Sequence, residues 1–156
     1  MPILHVIAND IRSRENVGAI FRTCEFLGIS KLWLTGFTAA PPDPRLEKVA
    51  LGAIKTVEWE QVTDVLVSIK RLREEGFRIV GLELDESAKL LSDYVAPEKT
   101  ALLLGNEVTG IPPSLLKGCD DIVMIAKKGT KESLNVSVAT GIAIHSLLNT
   151  CQNSRS

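Results

Sequence analysis

Ala101-Leu102-Leu103-Leu104-Gly105-Asn106-Glu107-Val108-Thr109-Gly110 sets an unbroken apolar run against a polar turn bracketed by glycines. Four apolar residues in succession leave no face for water, so Ala101–Leu104 reads as a strand buried on both sides, as in the middle of a parallel sheet. Working outward, Leu4–Ala8, Leu32–Leu34, Arg78–Leu82 and Ile122–Ile125 read as further strands. Helical spacing joins Val17, Ile20, Phe21, Cys24 and Leu27 up to a stop at Gly28, and Val62, Val65, Leu66, Ile69 and Leu72 up to Gly76. Strands alternating with helices predict an α/β protein: a mainly parallel sheet with helices on both faces. Pro41-Pro42-Asp43-Pro44 reads as a loop, because three prolines continue neither a ladder nor a helix.

A length of 156 residues suits a single domain, expected over residues 1–150 with a frayed polar tail at 151–156. Hydrophobic and charged fractions of 45% and 24% exclude disordered and fibrous classes. The absence of a long apolar run or leader pattern predicts no membrane span and a cytoplasmic protein. Cys24, Cys119 and Cys151 lack metal-ligand spacing and read as reduced thiols, and no metal site is expected. A net charge of −1 supplies no general attraction to nucleic acid, so any such binding must come from local basic patches or an assembled surface.

The last helix is expected from Ser133 to Asn149. Its apolar residues, among them Leu134, Val136, Val138, Ala139, Ile142, Ile144 and Leu147, surround most of the circumference. Such a helix is buried nearly all round, either by the domain itself or at a subunit interface.

Three segments carry candidate chemistry. In Asn16–Thr23, Asn16 is placed to cap a helix, Gly18 admits a close approach to the first turn, and Arg22 is either a surface charge or a functional guanidinium. Leu103–Pro112 runs from a buried strand into Gly105, Glu107 and Gly110, at the strand end where open α/β sheets bind ligands; its alternative is an ordinary turn. Ile125–Ala139 passes from a strand through a basic loop to Ser133 and Asn135, which open the buried helix. Capping needs only one of those two. No Gly-x-Gly-x-x-Gly follows the first strand, which excludes a dinucleotide-binding Rossmann enzyme.

Together the segments resemble the three signature motifs of the SpoU (TrmH-like) branch of the SPOUT RNA methyltransferases, in order, from Leu4 to Asn149. The resemblance implies a C-terminal trefoil knot, a homodimer, and methylation of a ribose 2′-hydroxyl by S-adenosylmethionine, in tRNA ahead of rRNA. The alternative is a non-catalytic relative that binds RNA or cofactor. It implies a cofactor site at Leu82, Glu83, Gly105, Asn106, Glu107, Gly110, Ile125, Ala126, Gly129, Ser133, Leu134 and Asn135, with the backbone at Ile125 and Leu134 against the adenine. Arg22 matches the family's catalytic arginine, with Asn16, Glu107, Ser133 and Asn135 holding it, the ribose and the cofactor in register. Ala126 stands where the family usually has proline. Arg12, Arg14, Lys127, Lys128 and Lys131 lie in or near the motif loops and are candidates for RNA phosphate contacts; Arg45 and Lys48 read more safely as solvated charges.

Overall fold

The computed structural model describes residues 2–153. Among them, seven strands form one sheet: β1 (Ile3–Asn9), β2 (Lys31–Thr35), β3 (Trp59–Val62), β4 (Arg78–Leu82), β5 (Lys89–Leu90), β6 (Lys99–Leu104) and β7 (Asp121–Met124). Their spatial order is β3-β2-β1-β6-β4-β7-β5. Every pairing is parallel. Five helices connect and cover it: α1 (Arg14–Phe26), α2 (Pro44–Ala50), α3 (Val65–Glu74), α4 (Pro113–Lys117) and α5 (Val136–Asn153).

β6 occupies the centre, as its uninterrupted apolar run requires. Side chains alternate across a strand, so Leu102 and Leu104 enter one core with Phe21 of α1, Leu46 of α2 and Ile144 of α5. Ala101 and Leu103 enter a second core with Ile69 and Leu72 of α3 and Leu115 of α4. The fold is therefore three-layered, with α1, α2 and α5 on one face and α3 and α4 on the other.

Several local expectations change. Ser13, not Asn16, caps α1: its hydroxyl accepts the Asn16 N–H at 3.1 Å. The space at Gly18 serves packing between helices, since a Cβ there would lie 2.4 Å from the Leu46 carbonyl oxygen of α2. The proline-rich loop ends one residue early: Asp43 caps a helix opened by Pro44, whose fixed φ suits a first helical position. Val62 ends the edge strand β3, and α3 starts only after Asp64, whose carboxylate accepts the Leu66 N–H at 2.9 Å. Helix α5 begins at Val136 and runs through Asn153. The expected tail is thus helical as far as Asn153, with Cys151 buried, and residues 154–156 lie outside those described. No helix among the described residues is long and apolar enough to cross a membrane.

At the amino edge of the sheet, Trp33 Nε1 donates to His5 Nδ1 at 3.1 Å within a buried cluster. Burial, assisted by the nearby Lys31 ammonium, pushes the His5 pKa down to about 4. Lys31 and Arg71 lie 4.0 and 4.8 Å from the Trp33 ring, and both bond Glu60. Those two cations hold the Glu60 carboxyl down to about 2.

Candidate active site

At the opposite, carboxyl edge, the chain leaves β4, β6 and β7 through loops that converge because those strands are neighbours in the sheet. Between them lies a cavity of about 670 Å³, within the range of small-molecule sites.

The β6 loop forms one wall. Asn106 and Gly110 exchange backbone hydrogen bonds of 3.2 and 2.9 Å, and the Asn106 side-chain oxygen accepts the N–H groups of Val108 and Thr109. Gly110 has φ +71°, and a Cβ there would lie 2.3 Å from Glu83 Oε2. That carboxylate, just past β4, accepts the Ile111 N–H at 2.7 Å and ties the two loops together. A Cβ on Gly105 would strike the Gly110–Ile111 backbone at 2.4 Å. Both glycines therefore let the loop fold on itself rather than leaving room for a flat ligand.

Glu107 turns away from this loop toward the start of α1. Its carboxylate accepts the N–H groups of Arg12 and Ser13 at 2.8 and 2.9 Å and the Asn16 amide at 3.1 Å. Partial burial opposes its ionisation, but these donors outweigh it, and its pKa lies below the ordinary carboxylate value. Asn16 Oδ1 in turn accepts from the Asn135 amide at 3.3 Å. Asn135 also caps α5, its oxygen taking the N–H groups of Ser137 and Val138. One polar chain, Glu107–Asn16–Asn135, thus joins three segments far apart in sequence.

The third wall, Lys127–Leu134, is of a different kind. Among the described residues these eight make no hydrogen bond to any part of the chain. Backbone donors and acceptors need partners, so this loop presents its amides and carbonyls to solvent or to a ligand, beside the apolar Leu82, Ile125 and Ala139. Ser133 belongs to this exposed loop and does not open the helix.

Every residue expected at the cofactor lines the cavity except Asn135, which sits behind it in the polar chain. Lys127, Lys128 and Lys131 line its mouth. Arg12 is exposed, whereas Arg14 is engaged by Asp43 at 2.6 Å and Arg45 lies 3.9 Å from Glu15. Arg22 is not at the cavity. It is exposed on α1, with no ion pair among the described residues, and its neighbour Thr23 packs 3.6 Å from where a side chain on Gly141 of α5 would begin. On α5 the expected all-round burial is incomplete in the single chain: Val138 and Ile142 are 50% and 43% exposed. Their spacing of four places them on one stripe. Sequence reasoning missed Asp10, the pivot between the β1 and β6 loops, whose carbonyl accepts the Asn106 amide at 2.8 Å. A positive φ of 54° marks it, and periodicity gives no sign of that.

The sequence model of the SpoU rRNA Methylase family matches residues 3–145. The chain is 33% identical over 138 residues to the 23S rRNA (guanosine-2′-O-)-methyltransferase RlmB of Acinetobacter baylyi, covering 88% of this chain and 56% of that protein. It is 31% identical over 143 residues to the tRNA (guanosine(18)-2′-O)-methyltransferase of Aquifex aeolicus, covering 91% of this chain and 67% of that protein. It thus spans about half the length of the first of these relatives. The crystal structure of the A. aeolicus TrmH/SpoU tRNA modifying enzyme superposes with a TM-score of 0.87 at 27% identity, over 99% of this chain and 78% of that one.

Proposed function

The chain belongs to the SpoU methylase family, and from that premise we propose that it is an RNA ribose 2′-O-methyltransferase that uses S-adenosylmethionine and works as a cytoplasmic homodimer. The observation that carries this reading is the cavity itself: a pre-formed β6 loop faces an unbonded loop, Lys127–Leu134, whose backbone is free to grip a nucleoside-sized ligand. The cavity volume, its apolar walls and the unpaired amides and carbonyls all fit that cofactor.

When bound, S-adenosylmethionine supplies an electrophilic methyl group on a positively charged sulfur. The remaining demands fall on the chain. Ile125 and Leu134, which line the cavity, would hold the adenine through their backbone groups. Glu107, Asn16 and Asn135 fix the β6 loop, the start of α1 and the start of α5 relative to one another, and Ser133 stands beside them at the cavity. In-line transfer to a ribose oxygen would need that oxygen aligned with the methyl group and its proton released to water, so the chief demands on the chain are alignment and relief of charge at that oxygen. A guanidinium stays protonated, so Arg22 would act by stabilising the developing alkoxide and orienting the adjacent phosphate rather than as a base.

Because Arg22 is exposed away from its own cavity, we assign it to the cavity of a second copy. The uncovered Val138–Ile142 stripe beside it, together with Phe26 at 84% exposure, supports that pairing. The trefoil knot belongs to the same reading, supported by the return of α5 from the cavity loops to pack on α1. Relatives carry both tRNA and rRNA in their names, so both substrates enter the assay, tRNA first. Purified protein is expected to transfer labelled methyl groups to an unmodified transcript, at a mapped 2′-hydroxyl. Cofactor binding without transfer to either RNA class would leave a binding module in its place.

A further inference from the structure

Much of the positive charge along the amino edge of the sheet is matched by carboxylates. Along the amino edge, Lys31, Arg71, Arg73, Arg78 and Lys89 are all engaged by Glu60, Asp120 or Asp121. At the carboxyl edge, Arg12, Lys127, Lys128 and Lys131 form no ion pair among the described residues. The unpaired cations of the carboxyl edge stand around the cavity, and this is where a polyanion can lie despite a net charge of −1.

Phe37 stands on that same edge, just beyond β2, and is 62% exposed. Its surroundings hold it firmly. Its N–H donates to Asp10 Oδ1 at 3.0 Å, and the preceding Gly36 N–H donates to the Thr63 carbonyl at 2.9 Å. The following Thr38, 1% exposed, bonds the Ala8 carbonyl at 2.8 Å and accepts the Ile11 N–H at 3.0 Å. An aromatic ring on a backbone so fixed, left in water, is a platform without a partner. In the strand order β2-β1-β6, β2 lies two strand spacings, about 10 Å, from β6, whose loop walls the cavity, and the β1 loop with Arg12 comes between them.

We propose that Phe37 stacks an unpaired nucleobase of the RNA, adjacent to the nucleotide whose ribose enters the cavity, and that the substrate is therefore a loop or single strand rather than a duplex. This rests on the functional reading above and adds to it the class of RNA. In an A-form duplex the bases are paired and stacked on one another, so no base face is open to a protein ring within it. Extruding a nucleotide leaves a neighbour's base face open, and aromatic side chains cover such faces without regard to sequence. The track runs from Phe37 past Arg12 to the cavity and its lysines: a ring for a base, then cations for the flanking phosphates.

The test uses the intact protein with two substitutions. Phe37→Ala is expected to raise KM for an unmodified tRNA transcript about tenfold, with little change in kcat, in S-adenosylmethionine affinity or in oligomeric state. Phe37→Trp should keep KM near wild type, and its added fluorescence should be quenched by a single-stranded RNA oligonucleotide but not by the same sequence in a duplex. An unchanged KM in Phe37→Ala, or equal quenching by both RNAs, overturns the proposal while leaving the methyltransferase reading intact. Dissociation of Phe37→Ala into monomers also overturns it, and would assign the ring to a contact between copies. If the wild-type protein transfers methyl groups to no RNA, the functional reading falls first and this one with it.

Discussion

The carboxylate of Glu107 accepts the side-chain amide of Asn16 at 3.1 Å, across 91 residues of chain. With the N–H groups of Arg12 and Ser13 on the same carboxylate, this is the joint between the first two motifs. Glu107→Ala leaves three donors without an acceptor, at a cost of about 1–3 kcal/mol, and a fall in Tm of several degrees is expected by calorimetry. Because the folded pKa of Glu107 is depressed, its stabilisation is present above the unfolded carboxylate pKa and is lost as pH falls through the folded value. Glu107→Gln should therefore lose less relative to wild type in acid than at neutrality.

His5 gives the opposite kind of group with a similar outcome. Its folded pKa of about 4 lies well below 6.5, so between those values the unfolded chain takes up a proton that the folded chain refuses. Stability should fall as pH drops through that window. Urea unfolding at neutral pH and near pH 5, compared with His5→Phe, checks this; a variant with the same slope as wild type contradicts it.

Gly18 sits where α1 meets the backbone of α2, and a Cβ would lie 2.4 Å from a carbonyl oxygen and 2.9 Å from Val49 Cβ. Gly18→Ala improves helix propensity by up to about 1 kcal/mol. Overpacking of about 1–3 kcal/mol works against it. The clash involves backbone, so net destabilisation is expected in urea titrations.

Ser68 Oγ on α3 is buried with no hydrogen-bond partner among the described residues. Removing an unsatisfied polar atom is favourable, and Ser68→Ala is expected to raise stability by roughly 1 kcal/mol without affecting cofactor binding.

If Arg22 serves the cavity of a second copy, Arg22→Ala should abolish transfer while S-adenosylmethionine still binds. Mixing it with a cavity variant such as Ser133→Ala, after reassortment of subunits, should restore roughly a quarter of wild-type activity, because half the dimers are hybrids with one intact site. No recovery would place Arg22 at its own cavity.

The five strands read from sequence are those with a continuous apolar run or a buried face, and three of them, β4, β6 and β7, carry the cavity. The two that went unread are edges: Trp59–Val62 is only partly buried and carries Glu60 and Gln61, and Lys89–Leu90 is two residues long. Helix α2 hid behind prolines, although Asp43-Pro44 is itself a start signal, with Glu47 reaching back to the Asp43 N–H at 3.1 Å. At the site, the segments were legible because glycine, serine and asparagine in apolar surroundings are conspicuous. Their convergence was not, since it depends on β4 lying between β6 and β7. Nor was the division of labour: Asn16 and Asn135 bind each other, and the expected cap at Asn16 belongs to Ser13.

The sheet ends in two unattractive margins. On one side β5 offers only two residues, headed by Lys89. On the other, β3 carries Glu60, locked to Lys31 and Arg71. Short or charged borders of this sort resist recruitment of another chain's strand, so fibril-like growth by backbone ladders is discouraged at both ends. Self-association is thereby steered to the helical flank, where burial of side chains rather than main-chain pairing decides which neighbour fits.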